Sequence, residues 1–495
     1  MASRLIRYFF ITLLSAASVH ADTDAPELPS FYGGRSVAPG ETAKEATAID
    51  YQRRALAPPI LPEDTIEEYN KANSSPSPLI VMDEYVHNQE LFLADIQKLS
   101  RNDWLLARKA QHYFQKNYHE PTGMWDSVQG YHHATMWDIA SGLAATLALH
   151  ALELETTEIT RDRLRTTLTT LADFPLYKAT LPNREYSAKT GLPSGSYSTS
   201  SSNGNGWSAL DIGRLLIWLK ITEARFPELS PIVQDITSRW TLSAAIKKQT
   251  LYGTKLYKGK EYFRQEGRLG YLQYAAQGYA LYGFDLSASY DNTTSETITV
   301  DGMDLHVDTR NVPYFTSDPY VLLALEIGRP QVWWNQLDAL YQLQKKRSTL
   351  TNKLHIYAED AMSKSPWFAY NNIYYYGTSW LSVSPGGKPI ETPQRFSNKV
   401  GFGFSVLFDD TFSTKLRDEV LRTSLNARSI PTGIYTDNGT NNAFNINTNS
   451  LVLVSLWYKA LGKTPILEAS MSQRLQWKNQ VSEDQTLRIK NMNDG

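Results

Sequence analysis

Four carboxylates carry the chemistry worth testing: Asp138, Glu266 and the adjacent Glu359 and Asp360. Cleavage of a glycosidic bond typically uses two carboxyls, one protonating the leaving oxygen and one activating water or attacking the sugar. Glu266 reads as the general acid, with Asp138 or one of Glu359 and Asp360 as its partner. Each has a competing structural role. Asp138, in Met136-Trp-Asp-Ile139, opens an apolar helix, where an acid also caps free N–H groups and complements the helix dipole. Glu266 stands between Arg264 and Arg268 before an apolar run; desolvation would raise its pKa and the arginines would lower it, and an Arg-Glu-Arg clamp is an equal alternative. Glu359 and Asp360 are neighbours in an extended segment, so their side chains point opposite ways and one suffices to face a groove.

Around these acids stand residues suited to holding a sugar. Trp137, Trp207, Tyr271, Trp367 and Trp380 offer flat apolar faces, in a chain with 29 Tyr, 12 Trp and 17 Phe, many of them in polar loops. Arg214 and Arg268 are forked cations suited to hydroxyls or a uronate carboxylate. Asp211 repeats the Trp137-Asp138 arrangement one hairpin later, and Arg214 three residues on makes an i,i+3 ion pair its favoured role. No cofactor and no metal is expected: His132-His133 lacks a matched third ligand in the sequence, and calcium-loop spacing, a GxSxG elbow and a phosphate-cradling glycine loop are all missing. With no cysteine, thiol chemistry is excluded.

The elements that must position these residues alternate between two kinds of helix. Leu164, Leu168, Leu171 and Phe174, then Ile232, Val233, Ile236 and Trp240, then Leu416, Val420 and Leu421 form one-sided stripes of outer helices. Segments 139–154, 208–224, 270–283, 319–328, 401–408 and 446–461 are apolar or small nearly all round and read as inner helices. Turns from inner to outer helices are short, whereas the returns 118–137, 177–207, 253–268, 357–396 and 428–445 are long. The pattern predicts a mostly α fold, an (α/α)6-like toroid of hairpins with its long loops on one functional rim, and a small β-hairpin inserted near 296–308 around Asp301-Gly302.

The ends and the charge set the context. Arg4 and Arg7, an apolar run of about ten residues and small residues up to Ala21 read as a cleaved export signal (1–21), too short for the roughly 20 residues of a membrane span. Residues 22–80 read as a Pro-rich linker, 81–480 as the toroid domain and 481–495 as a polar tail; the expected location is the periplasm or the exterior. Net charge of −2 from 49 basic and 51 acidic residues argues against a nucleic-acid partner. The expected partner is a poly- or oligosaccharide, with polysaccharide synthesis or export machinery as a further one.

The runs Thr135-Met-Trp-Asp-Ile-Ala-Ser-Gly-Leu-Ala-Ala145, Leu181-Pro-Asn-Arg-Glu-Tyr186, Gly206-Trp-Ser-Ala-Leu-Asp-Ile-Gly-Arg-Leu-Leu216, Gln265-Glu-Gly-Arg-Leu-Gly-Tyr271 and Ala358-Glu-Asp360 together resemble the bacterial family called domain of unknown function 3131, over about residues 100–465. Arg184 departs from the family's motif. The resemblance implies an architecture like the α/α toroids of glucoamylase-type and β-1,2-glucanase-type enzymes and an association with exopolysaccharide or envelope glycans. The expected function is that of a periplasmic glycoside hydrolase cleaving a bacterial polysaccharide with a pair of carboxylates; the alternatives are a non-catalytic glycan-binding or scaffold subunit of an exopolysaccharide system and a polysaccharide lyase.

Overall fold

Short polar residues start most of the helices. Ser100 and Asp103 form a reciprocal capping box on α1 (Arg101–Lys116), Thr135 and Asp138 do so on α2 (Met136–Ala151), and Thr156 caps α3 (Thr157–Asp173). Ser208 caps α4 (Ala209–Arg225), which is followed by α5 (Ser230–Arg239), α6 (Tyr271–Ala280), α7 (Asp318–Glu326) and α8 (Gln331–Thr351). After α9 (Asn398–Leu407), Asp410 and Ser413 box α10 (Thr411–Ser424), and Asn445 caps α11 (Ile446–Ala460). Each such cap contributes about 1 kcal/mol. These elements come from a computed structural model that describes residues 94–474, apart from 268, 292–294, 309–314 and 473. The expected signal segment, linker and tail lie outside the described residues.

The two kinds of helix take up two layers. In α2 every residue but His150 is buried, and in α11 every residue but Asn447 and Lys459. In α3, α5 and α10 burial follows the stripes: Leu164, Leu168 and Leu171; Val233 and Ile236; Leu416 and Val420. The packing order of the enclosed helices returns to its start: α2 touches α4, α4 touches α6, then α6–α7, α7–α9, α9–α11 and α11–α2. Helices α1, α3, α5, α8 and α10 pack outside them. Glycines set the tightest crossing. A Cβ on Gly278 of α6 would lie 1.9 Å from the carbonyl oxygen of Gly213 in α4, so the two backbones meet only because neither residue has a side chain.

Between α6 and α7, where the other hairpins carry an outer helix, the chain forms strands Ser295–Val300 and Met303–Asp308, paired antiparallel. Asp301 and Gly302 turn this hairpin with positive φ angles of 48° and 76°, the geometry that suits the right-handed strand twist. The Gln336 amide on α8 donates to the His306 carbonyl at 2.8 Å, tying the hairpin to the outer layer. No helix among the described residues is long and apolar enough to cross a membrane.

Candidate functional site

The loops that precede the inner helices meet one another. Val128 bridges to Asn445, and the Ile446 N–H donates to Ser127. Strand His133–Ala134 pairs with Tyr186–Ser187, Arg184 donates to the Thr254 carbonyl, and Ile373 donates to Phe315. The long connections of the sequence therefore share one face, at the N-terminal ends of the enclosed helices.

Of the four named carboxylates, two serve helix starts. Asp138 accepts from the Thr135 N–H and hydroxyl, both at 2.9 Å, and its other oxygen accepts from the Asn447 amide at 2.9 Å. Glu266 is 1 % exposed and lies against the start of α4, accepting from Ala209 N–H at 2.6 Å. Among the described residues its cationic partner is Arg184, at 3.0 Å, and not Arg264, one of the two arginines expected to clamp it. Burial pushes the Glu266 carboxyl up, and Arg184 opposes it. Gly253 makes room for this carboxylate, since a Cβ there would sit 2.0 Å from Oε1. Arg268 lies outside the described residues.

Glu359 and Asp360 occupy a short strand, Glu359–Ala361, in a cluster centred on Lys399. The Lys399 ammonium, in the first turn of α9, reaches Asp318 at 2.5 Å and Asp360 at 3.5 Å, and donates to the Glu359 carbonyl. Asp318 accepts from the Glu359 N–H at 2.9 Å and from the Thr316 hydroxyl. Gln394 donates to Asp360 at 2.5 Å. Burial raises the Asp360 carboxyl to about 7, with Lys399 opposing and Asp318 reinforcing the shift. Burial pulls Lys399 down, but Asp318 and Asp360 outweigh it and hold the ammonium above its ordinary value. Asp318 and Lys399 were missed from sequence. Asp318 had a signal, as an acid opening an inner helix beside an aromatic, like Asp138; Lys399 had none.

A third cluster is aromatic. Trp137 meets Tyr271 edge-on at 5.6 Å and Tyr274 at 5.8 Å, and the Arg214 guanidinium lies 4.6 Å from the Trp137 ring centre. The expected i,i+3 pair with Asp211 is not what Arg214 makes: its carboxylate partner is Glu326, 112 residues away, at 3.2 Å. Glu326 also accepts from the Trp218 indole at 3.1 Å and from the Tyr274 hydroxyl. Asp211 is buried in the first turn of α4, its N–H donating to Ser208.

The remaining residues scatter. The Trp207 indole donates to the Tyr252 carbonyl at 3.1 Å, and Trp380 donates to Asp301 at 2.9 Å, anchoring the inserted hairpin. Trp367, 39 % exposed, sits in a turn in a left-handed conformation. Glu185 was also missed, although it lies in the Pro-Asn-Arg-Glu-Tyr motif. Its carboxylate takes the Tyr131 hydroxyl and the His133 ring nitrogen, both at 2.9 Å, and stays partly open to solvent. Burial, with Glu185 adding to it, drives the Tyr131 hydroxyl well above its usual pKa.

A family model described as protein of unknown function (DUF3131) matches residues 105–462. The chain belongs to the DUF3131 family. No curated protein matches this DUF3131 chain in sequence. In structure it is similar to the endo-β-1,2-glucanase of Chitinophaga pinensis, with TM-score 0.52 and 12 % identity over 76 % of this chain and 98 % of that one. A putative glucoamylase from Bacteroides caccae gives 0.52 and 12 % over 75 % and 98 %, and the endo-β-1,2-glucanase of Talaromyces funiculosus 0.50 and 13 % over 84 % and 93 %. At such identities the likeness establishes for this DUF3131 member a shared fold.

Proposed function

We propose that this protein is a periplasmic glycoside hydrolase that cleaves a bacterial polysaccharide on the loop-rich rim of an α/α toroid. The circular packing order of the six inner helices supports the toroid, and the hydrolase names of the structural neighbours support the class of reaction. One observation carries the assignment: Asp360, raised to about 7, shares an ammonium with Asp318 at the starts of α7 and α9. A carboxyl poised near neutrality holds a proton to donate while a second carboxylate nearby serves water, which is the division of labour glycosidases need. In this reading Asp360 is the acid and Asp318 the base. Glu266 and Asp138 fix the helix starts that shape the rim.

A second reading, a glycan-binding subunit without turnover, is favoured by one fact: Asp138, Asp318, Glu359, Asp360 and Glu266 are all at most 3 % exposed. The test is product release from β-1,2-glucan, other β-glucans and uronate-containing exopolysaccharides, reading reducing ends and unsaturated-uronate absorbance. Asp360→Asn, Asp318→Asn and Glu185→Gln are run beside wild type. Reducing ends lost in both Asp variants support the assignment; loss in Glu185→Gln alone moves the chemistry to the Tyr131–His133 side. Unsaturated products would make it a lyase, and binding without products a glycan-binding subunit.

A further inference from the structure

Three residues scattered along the first long loop converge outside the clusters above. Asp126 Oδ1 lies 2.6 Å from His119 Nε2 and 2.8 Å from His132 Nδ1. The three potential ligand atoms all fall within 4.8 Å of one another. From these residues we propose a binding site for a divalent transition-metal ion of the zinc class, with two imidazoles and one carboxylate as ligands and the fourth position open to water.

The site is built rather than incidental. The second oxygen of Asp126 is held by the Gly130 N–H at 3.0 Å, so Oδ1 is the atom presented to both rings. Backbone bonds hold the segments that bear the ligands: Asp126 N–H to the Asn117 carbonyl, Tyr131 N–H to the Val128 carbonyl, and Ala188 N–H to the His132 carbonyl. The two rings meet edge-on with centres 5.5 Å apart, and Nε2 of His119 and Nδ1 of His132 converge on the same oxygen of Asp126. A four-coordinate ion with bonds of about 2.0–2.1 Å spaces its ligand atoms roughly 3.3 Å apart. Opening the present contacts by about half an ångström suffices, and the His132 side chain, 40 % exposed, has room to make that move. Two imidazoles with a carboxylate suit zinc, cobalt or nickel rather than calcium or magnesium, which prefer oxygen alone.

The adjacent histidines do not act as a pair. His132 turns to Asp126, whereas His133 turns to Glu185 and Ser194. An ion at His132 therefore anchors the segment that delivers Tyr131 and His133 to Glu185, so the site positions the rim without touching the sugar.

The test uses untagged full-length protein, stripped with EDTA and titrated with Co²⁺ and Zn²⁺. One Co²⁺ per chain with the visible absorption of a four-coordinate ion is expected. Zn²⁺ should displace it, and binding should weaken in acid, because protons compete with the ion for its ligands. His119→Ala and His132→Ala should each lower affinity more than the about 10–100-fold that losing an outer partner costs. His133→Ala should keep the site and its spectrum. Circular dichroism identifies any variant that has not folded, and Asp126→Asn then takes its place as the ligand-deficient protein. Absence of stoichiometric Co²⁺ binding by wild type, or binding unchanged in folded ligand-deficient variants, overturns the site, and either result leaves the glycosidase reading untouched.

Discussion

Replacing Arg214 by Met tests whether the interior between the enclosed helices is held by charge. Arg214 is 2 % exposed and Glu326 fully buried; they approach to 3.2 Å, yet Glu326 Oε1 accepts no directional hydrogen bond and Arg214 Nε has no acceptor. Such a pair is an incompletely satisfied ionic contact, costly to form and costlier to halve. Removing one partner from a buried pair costs about 3–5 kcal/mol, because the other charge stays behind. For the roughly 370 described residues at about 2.1 cal/mol/K each, the entropy of unfolding is about 0.8 kcal/mol/K, so the loss corresponds to a Tm lower by about 4–6 °C. Burial already pushes the Glu326 carboxyl up, with Arg214 the main force against it. In Arg214→Met that carboxyl rises further, so the folded state binds its proton more tightly than the unfolded state does. The variant's deficit should be smallest at acid pH and grow as pH rises through the folded pKa. The pair Arg214→Met with Glu326→Leu should recover most of the loss. Urea unfolding at pH 5 and pH 8 measures all three. A single-variant loss under about 1 kcal/mol, or a double variant as poor as the sum of its parts, refutes the argument.

Three further outcomes are expected. Gly278→Ala forces a Cβ to 1.9 Å from the Gly213 carbonyl and should cost at least about 1–3 kcal/mol in urea unfolding; wild-type stability would mean that the α4–α6 crossing relaxes freely. The Asp360 carboxyl is raised from 3.8 to about 7, so its contribution to stability is present below pH 4 and lost as pH rises through 7; Asp360→Asn should gain on wild type between pH 4 and 8, by up to about 4 kcal/mol. A stability difference that stays flat over that range contradicts the shift. Trp380→Phe removes the 2.9 Å bond to Asp301 and should cost about 1 kcal/mol; amide exchange should speed up in Ser295–Asp308 more than in the helices, and uniform acceleration would show that the hairpin is not a separate unit.

Helix placement was legible where periodicity was strong. Segments 208–224 and 446–461 match α4 and α11 to within a residue at each end, because nearly continuous apolar runs with a polar cap leave few alternatives. The longest helix, α8, went unread as a stripe although the short turn before it implied an outer helix. Charge partners were the least legible. Arg214 has an acid three residues back and another 112 residues on, and sequence spacing favours the near one; the packing of α4 and α7 around a shared interior selects the far one. Glu266 pairs with Arg184, 82 residues back, while Arg264, two residues away, makes no ion pair with it. His132 and His133 are neighbours in sequence, but strand pairing of His133–Ala134 with Tyr186–Ser187 sends the two rings to different carboxylates.

The packing order that closes on itself has a consequence in time. The contacts that join the first enclosed helix to the last link residues 306–309 positions apart: Asn447 to Asp138, Ser141 to Asn447 and Ser450 to Ser141. At about 5–20 residues per second, a ribosome needs about 15–60 s to make the intervening chain. During that interval α2, apolar on nearly every side, lacks the neighbour that covers it. A nascent chain of this kind calls for a chaperone at its first hairpin rather than its last, and losing α11 leaves α2 exposed.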